Sequence, residues 1–134
     1  MSIEFPLLRK NTPFGIISDP TIPVEVKTLR DYLTHWFLID TGADFSMAPY
    51  RLAHEIGLDW DTLPEIQVMG IEGSGVKGRV GSLPIRFKNL QLTVWCVFVK
   101  TPKSLFLLGR ADFLDRFVMT IDHHEQKIIL TEIL

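Results

Sequence analysis

A carboxylate at the end of a hydrophobic strand constrains this chain more than any other feature. Residues 36–39 (WFLI) are apolar on both faces of a strand, which is typical of a buried strand, and Asp40 follows them directly. An ionised side chain there is costly unless it is hydrogen-bonded, paired or functional. Thr41 adds a hydroxyl and Gly42 adds a backbone that other groups can approach closely. The segment therefore predicts either a carboxylate site or an Asp that only opens a turn.

A second apolar stretch ends in a different turn. It begins at Leu105 and continues through Leu107 and Leu108 into Gly109 and Arg110. The residues after it, 111–117, have the pattern of a short helix.

Together the two stretches resemble the motifs of the retropepsin-like aspartic proteases, the single-domain relatives of pepsin. In that family a hydrophobic pair leads into Asp, Thr, Gly and Ala or Ser, as residues 38–43 do here. A later hydrophobic pair, Gly and Arg open the C-terminal helix, as residues 107–110 do. The resemblance covers residues 13–134 and implies a mainly β, single-lobe acid protease fold with a flap hairpin and one or two short helices. Residues 1–12 are expected to be a tail or an edge strand.

The resemblance also implies a role for each motif residue. Asp40 would be the catalytic residue, and Thr41 would lock the Asp turns of two chains together through their hydroxyls. Gly42 would offer its carbonyl to the substrate backbone. Asp44 would pair with Arg110 at the end of the cleft.

The number of catalytic groups predicts a dimer. Aspartic proteolysis needs two carboxylates around one water, and this chain has one Asp-Thr-Gly. Asp112 and Asp115 follow no comparable strand, and we interpret them as surface charges of the helix. A symmetric homodimer that binds an extended peptide follows, with the site on its two-fold axis.

The carboxylate pair also predicts a pH dependence. Two close carboxylates cannot both ionise easily, so they would share one proton, and activity should fall at high pH when that proton is lost. Ala43 cannot donate a hydrogen bond to the carboxylate, as Ser in pepsin-like relatives could. We therefore expect a mildly acidic to near-neutral optimum.

A glycine-rich segment between the two motifs predicts a hairpin. Two β-like arms, residues 66–71 and 76–87, flank a short centre. A phosphate loop would need a helix to start after Gly75, and none is predicted. In the resembled family this position holds the flap, a hairpin that closes over the peptide; an ordinary exposed hairpin is the alternative. The residues assigned to the flap tip are Ile71, Glu72, Gly73, Ser74, Gly75 and Val76.

The remaining patterns predict strands and one helix. The strands cover residues 14–18 and 22–29, paired as a hairpin around Asp19 and Pro20, then 90–99, and finally 118–121 and 127–133, paired as a second hairpin. The helix covers residues 48–56, with Pro49 in its first turn and Gly57 after its end.

Composition excludes several other classes of protein. At 134 residues and 46% hydrophobic content, the chain has room for one core. A net charge of -2 with both signs interspersed offers no basic face for nucleic acid or for a membrane surface. No signal peptide and no apolar run of about 20 residues is visible, which favours a cytoplasmic protein. A start at Met1 favours a complete chain over a domain cut from a precursor.

No metal or organic cofactor is expected. The single cysteine, Cys96, lies inside an apolar run, which indicates a small buried side chain rather than a nucleophile. His54 should face solvent, while His123 and His124 should lie in a hairpin turn.

Two functions fit these patterns. The first is an aspartic endopeptidase, and the alternative is a non-catalytic peptide-binding or dimerisation module on the same fold. The intact Asp-Thr-Gly-Ala favours the enzyme, since such a module has no need for a buried carboxylate pair.

Overall fold

The computed structural model describes residues 1–69, 75–100 and 105–133, which form mainly β-strands. The strands are Ser2–Pro6 (β1), Leu8–Thr12 (β2), Gly15–Asp19 (β3), Thr21–Lys27 (β4), Tyr32–Ile39 (β5), Ser46–Pro49 (β6), Glu65–Met69 (β7), Gly75–Phe87 (β8), Leu90–Val99 (β9), Leu107–Leu108 (β10), Phe117–Asp122 (β11) and Lys127–Glu132 (β12). Tyr50–Ile56 forms an α-helix (α1), and Trp60–Thr62 and Leu114–Arg116 form 3-10 turns.

The main sheet has seven strands in the order β4-β5-β10-β6-β9-β8-β7. Because β4 also pairs with β8, through Val26 opposite Ile85, the sheet closes on itself. The short strand β10 lies between β5 and β6, parallel to the first and antiparallel to the second. The second sequence motif is therefore inserted between the strands that enter and leave the Asp40 turn.

A smaller sheet in the order β1-β12-β11 contains both ends of the chain. The sequence left open whether residues 1–12 form a tail or a strand, and residues 2–6 form the edge strand β1, with Ile3 and Phe5 buried. The final hairpin, β11 with β12, is confirmed.

The predicted first hairpin is wrong in its pairing. Strands form at both predicted places, but β3 pairs with β2, and β4 pairs with β5. Asp19 and Pro20 connect two strands that belong to different sheets, and the Pro20 carbonyl accepts a hydrogen bond from Ile39 N at 2.9 Å. Alternation of apolar residues predicts that a segment is a strand, whereas the partner strand depends on the surrounding sheet.

The helix α1 is shorter at its start than predicted. Ala48 and Pro49 belong to β6, where they pair in parallel with Phe98 and Val99. Pro49 is consequently the N-cap rather than a first-turn residue. The predicted C-terminal end is confirmed: Gly57 has φ +92°, and its N–H donates to the carbonyls of Ala53 and His54.

The predicted helix over residues 111–117 is wrong. Asp112 has φ +66°, a left-handed conformation that no α-helix contains, and only a 3-10 turn follows. The Asp112 carboxylate accepts hydrogen bonds from Trp95 N at 3.2 Å and from Arg116 at 2.6 Å. Asp112 therefore anchors a tight turn to β9 and is not a simple surface charge, whereas Asp115 is exposed as predicted.

A series of aromatic contacts joins the small terminal sheet to the main sheet. Ring centroids lie 5.9 Å apart for Phe5 and Phe87, 5.7 Å for Phe87 and Phe113, and 5.3 Å for Phe113 and Phe117. These side chains fill the space between β1, β8 and the turn after Arg110, so the small sheet supports the second motif from below.

Only one face of the strand before Asp40 is covered. Phe37 and Ile39 are buried, but the Trp36 side chain is 53% exposed. The expectation of a strand buried on both faces is therefore wrong. The second apolar stretch, residues 105–108, forms a strand only at Leu107–Leu108.

Replacing Phe37 with Ala should lower the free energy of unfolding by about 3–5 kcal/mol, because it leaves a cavity in a fully buried site. Leu33→Ala, an exposed position on the same strand, should change it by less than about 0.5 kcal/mol. Guanidinium chloride unfolding of both variants at one protein concentration checks this. Equal losses would contradict the burial assigned to Phe37.

Candidate active site

Asp40 is held through its carboxylate by its own turn and through its backbone by the second motif. Asp40 follows β5, and its backbone N–H donates to the Leu108 carbonyl at 2.9 Å. Gly42 N donates to the Asp40 Oδ1 at 2.9 Å, and Ala43 N donates to the Asp40 carbonyl at 3.1 Å. One carboxylate oxygen is therefore fixed by a backbone donor, and the half-buried side chain keeps a defined orientation.

The second motif crosses directly beneath this turn. Arg110 N donates to the Ala43 carbonyl at 2.9 Å, and Ala111 N donates to the Asp44 carbonyl at 2.9 Å. Gly109 N donates to the hydroxyl of Ser46 at 3.1 Å. Two segments that are far apart in the sequence thus share one set of backbone hydrogen bonds.

Ser46 was missed by the sequence analysis. It is the one buried polar side chain among the described residues, and it accepts the bond from Gly109. A serine in an otherwise apolar strand is a weak signal, and its partner is known only once β6 lies beside β10.

Gly109 is required by close approach of two backbones. A Cβ at this position would overlap the carbonyl oxygen of Phe45 and would lie 2.9 Å from the Ala43 carbonyl oxygen. Gly42 is less constrained, because a Cβ there would meet only the Asp40 Oδ1, at 3.3 Å. The group that approaches the Gly42 backbone closely is therefore the Asp40 carboxylate.

Asp44 and Arg110 form the ion pair that the family resemblance implied. Both side chains are exposed, so the pair contributes roughly 0.2–1 kcal/mol to stability. Thr41 and Gly42 are exposed as well, on the open side of the turn.

The arms of the predicted flap are present. β7 and β8 pair antiparallel, with Val68 opposite Val76 and Met69 opposite Gly75. Gly75 and Val76 begin β8, whereas Ile71, Glu72, Gly73 and Ser74 lie outside the described residues. The hairpin base thus stands where the prediction placed it.

An apolar cavity of about 500 Å³ opens beside the ion pair. Phe45 and Ala111, which directly follow Asp44 and Arg110, form part of its wall. The opposite wall comes from the loop after α1 and from β7, β8 and β9, including Leu58, Ile66, Val80 and Trp95. This cavity can accept an apolar side chain close to the carboxylate turn. No pattern in the sequence assigned residues to such a pocket.

The cysteine and the histidines considered in the sequence have no chemical role in this site. Burial raises the pKa of the Cys96 thiol, which keeps it protonated, as expected of a small buried side chain. His54, His123 and His124 are exposed. In the ranges 1–69, 75–100 and 105–133, no three His, Cys, Asp or Glu side chains cluster as metal ligands would. No helix in the described part of the chain is long and apolar enough to cross a membrane.

Comparisons with known proteins identify the family and the fold. The family model described as aspartyl protease matches residues 22–111. Among solved structures, a retropepsin-like aspartic protease from Rickettsia conorii superposes with a TM-score of 0.65 at 20% sequence identity, covering 97% of this chain and 91% of that chain. At this identity the likeness shows the fold, and it confirms the predicted mainly β, retropepsin-like architecture. No curated protein matches the sequence.

Gly109→Ala should lower the free energy of unfolding by about 2–3 kcal/mol, because the new methyl group meets backbone atoms that cannot rotate away. Gly42→Ala is the matched control and should cost less than about 1 kcal/mol, since its methyl group meets a side chain. Thermal and denaturant unfolding measure both. A Gly109→Ala protein as stable as wild type would contradict the tight crossing.

Proposed function

Because the chain belongs to the aspartyl protease family, we propose that it is an aspartic endopeptidase whose active site forms between two copies of the chain. The observation that carries this proposal is the placement of Asp40: Gly42 N donates to its carboxylate, and its own backbone N–H donates to the Leu108 carbonyl. Each copy supplies one such carboxylate. Proteolysis of this type requires two.

The reaction uses the two carboxylates in different protonation states. The ionised carboxylate takes a proton from a water, whose oxygen then bonds to the carbonyl carbon of the peptide. The protonated carboxylate donates a hydrogen bond to the oxygen of that carbonyl as negative charge develops. One of the two protonated carboxyl groups then gives its proton to the amide nitrogen, and the C–N bond breaks to release an amine and a carboxylic acid. The pair again holds one proton.

The surroundings of Asp40 suit an extended peptide substrate. Thr41 lies on the exposed side of the turn, where it can meet Thr41 of the second copy, and the Gly42 carbonyl is available to the substrate backbone. The cavity beside Phe45 takes an apolar side chain of the peptide. The hairpin formed by β7 and β8 acts as the flap that covers the bound peptide.

Replacing Asp40 with Asn should reduce cleavage of an unfolded protein substrate by about 10²–10⁴-fold, because the amide cannot take the proton from water. Wild type should work best at mildly acidic to near-neutral pH and lose activity as the shared proton is removed. Cleavage is measured from pH 3 to 8 at high protein concentration, with Asp61→Asn on an exposed turn as the control. Equal cleavage by the Asp40 variant, or a profile with nothing at pH 6, would contradict the proposal.

Mixing wild-type and Asp40→Asn chains tests whether two copies share one active site. Excess Asp40→Asn chains added to wild type should suppress its activity, since mixed dimers contain a single carboxylate. The suppression should track dimer exchange measured by sedimentation. If wild type is a dimer and still cuts nothing beyond what the variant cuts, the chain is a non-catalytic peptide-binding or dimerisation module.

Arg110→Ala should weaken the dimer or the fold more than the chemistry. The ion pair with Asp44 lies at the edge of the site, and its loss should raise the dimer dissociation constant by up to about fivefold, equivalent to about 1 kcal/mol. The kcat at saturating protein concentration should stay close to wild type. Arg30→Ala, on an exposed turn, is the control. A large fall in kcat with an unchanged dissociation constant would assign Arg110 to the chemistry instead.

A further inference from the structure

We propose that the hairpin formed by β2 and β3 (residues 8–19) is an arm that grips the second copy of this chain. The inference rests on the dimeric site proposed above, and it assigns the surface that brings the two copies together. Four observations support it: the exposure of the hairpin, the build of its tip, its place beside Asp40 and the pairing of the chain ends.

The hairpin stands apart from the body of its own chain. Within the described residues, β2 and β3 form a two-stranded sheet and pair with each other alone. The side chains of Phe14 and Ile16 are 97% and 62% exposed, and Leu8 and Ile17 are exposed as well. The strands on either side contrast with this, since β1 and β4 both have buried apolar residues.

Such a hairpin lacks a source of stability in one isolated chain. A two-stranded ribbon in water is marginal, and ordinary stability requires a third strand or an apolar face packed against another element. Exposed apolar side chains occur on both faces here, because Ile17 lies opposite Lys10 on one face and Ile16 lies opposite Asn11 on the other. Cover from a second molecule would supply the missing contacts.

The tip is built to present Phe14. The Thr12 hydroxyl donates to the Gly15 carbonyl at 2.7 Å and accepts from Phe14 N at 3.1 Å. These bonds favour one conformation of the turn and leave the Phe14 ring exposed. Aromatic residues, Phe included, are enriched at protein interfaces.

The hairpin leaves the body of the chain beside the catalytic turn. β3 ends at Asp19, and the next carbonyl, that of Pro20, accepts from Ile39 N at 2.9 Å. β4 then starts with Thr21 opposite Leu38, two residues before Asp40. Asp40 of a second copy must approach this same edge to share one water. The base of the hairpin therefore lies on the side that the second copy has to occupy.

The chain ends are already paired within one chain. β12 lies between β1 and β11, so both of its edges are occupied. Glu132 N also donates to the Met1 carbonyl at 2.9 Å. Interleaving of terminal strands between copies would first have to break this sheet. An arm that is already exposed has no such cost.

The test is a double substitution, Phe14→Ser with Ile16→Thr, which removes apolar surface from the arm without touching the core. The dimer dissociation constant should rise by at least about 30-fold, since aromatic anchors of interfaces reach this size. Val118→Thr is the matched control: it makes a similar change at a residue 56% exposed on β11, and it should leave the constant within about twofold. Analytical ultracentrifugation over a concentration series measures all three proteins, and circular dichroism checks that each is folded.

Cleavage provides an independent readout. The double variant should lose activity at dilute concentrations and regain wild-type kcat when concentrated, because its catalytic groups are intact. An unchanged dissociation constant in a dimeric wild type would overturn the arm and leave the protease proposal standing. Weakening by Val118→Thr alone would place the interface on the terminal sheet. A raised KM with unchanged dimerisation would assign the hairpin to substrate instead.

Two further outcomes separate this inference from the proposed function. A dimer that the double substitution dissociates, but that cleaves nothing, supports the arm and overturns the protease proposal. A wild type that cleaves through Asp40 while remaining monomeric overturns the shared site and the arm together. Asn11→Cys adds direct evidence: its thiol should react with a maleimide more slowly as dimers form, while Cys96 stays buried. A rate independent of protein concentration would contradict contact at the arm.

Discussion

The close contact between the Gly109 backbone and the carbonyls of Ala43 and Phe45 is the constraint on which the rest of the structure depends. It allows β10 to enter between β5 and β6 and to pass beneath the carboxylate turn. The backbone of Asp40 then bonds to Leu108 rather than to water. The orientation of one carboxylate is thus a tertiary property, since the turn alone would leave its backbone donors to compete with solvent.

The stability of the core depends on contacts within one chain, whereas the proposed activity depends on a second copy. Each chain closes its main sheet, buries its aromatic core and fixes its own Asp40, so the core of the fold is complete in one copy. The proposed chemistry needs a second carboxylate, and occupancy of the site then depends on protein concentration. The exposed arm and the exposed Thr41 lie near the same edge of the molecule. Binding of a second copy would cover both at the moment when the site is completed.

Patterns of apolar residues predicted most elements well and their partners poorly. β9 was placed at its observed bounds, and the helix end at Gly57 was correct, because local alternation and a left-handed glycine are visible in the sequence. The pairing of β3 and the helix over residues 111–117 were wrong. In the second case the left-handed Asp112 trades helical backbone bonds for side-chain bonds to Trp95 and Arg116, contacts that no local pattern reveals.

The sequence by itself determined the two motifs, their order, the strand-forming segments around them and the presence of a single Asp-Thr-Gly, since these follow from residue type and spacing. Only the tertiary structure decided that Ser46 anchors Gly109, that Phe45 and Ala111 line an apolar cavity, that Trp36 faces outward and that residues 8–19 stand clear of the core. The physical reason is that these features depend on which segments pack together. Burial and pairing are properties of contacts between distant residues, and short-range periodicity contains no record of them.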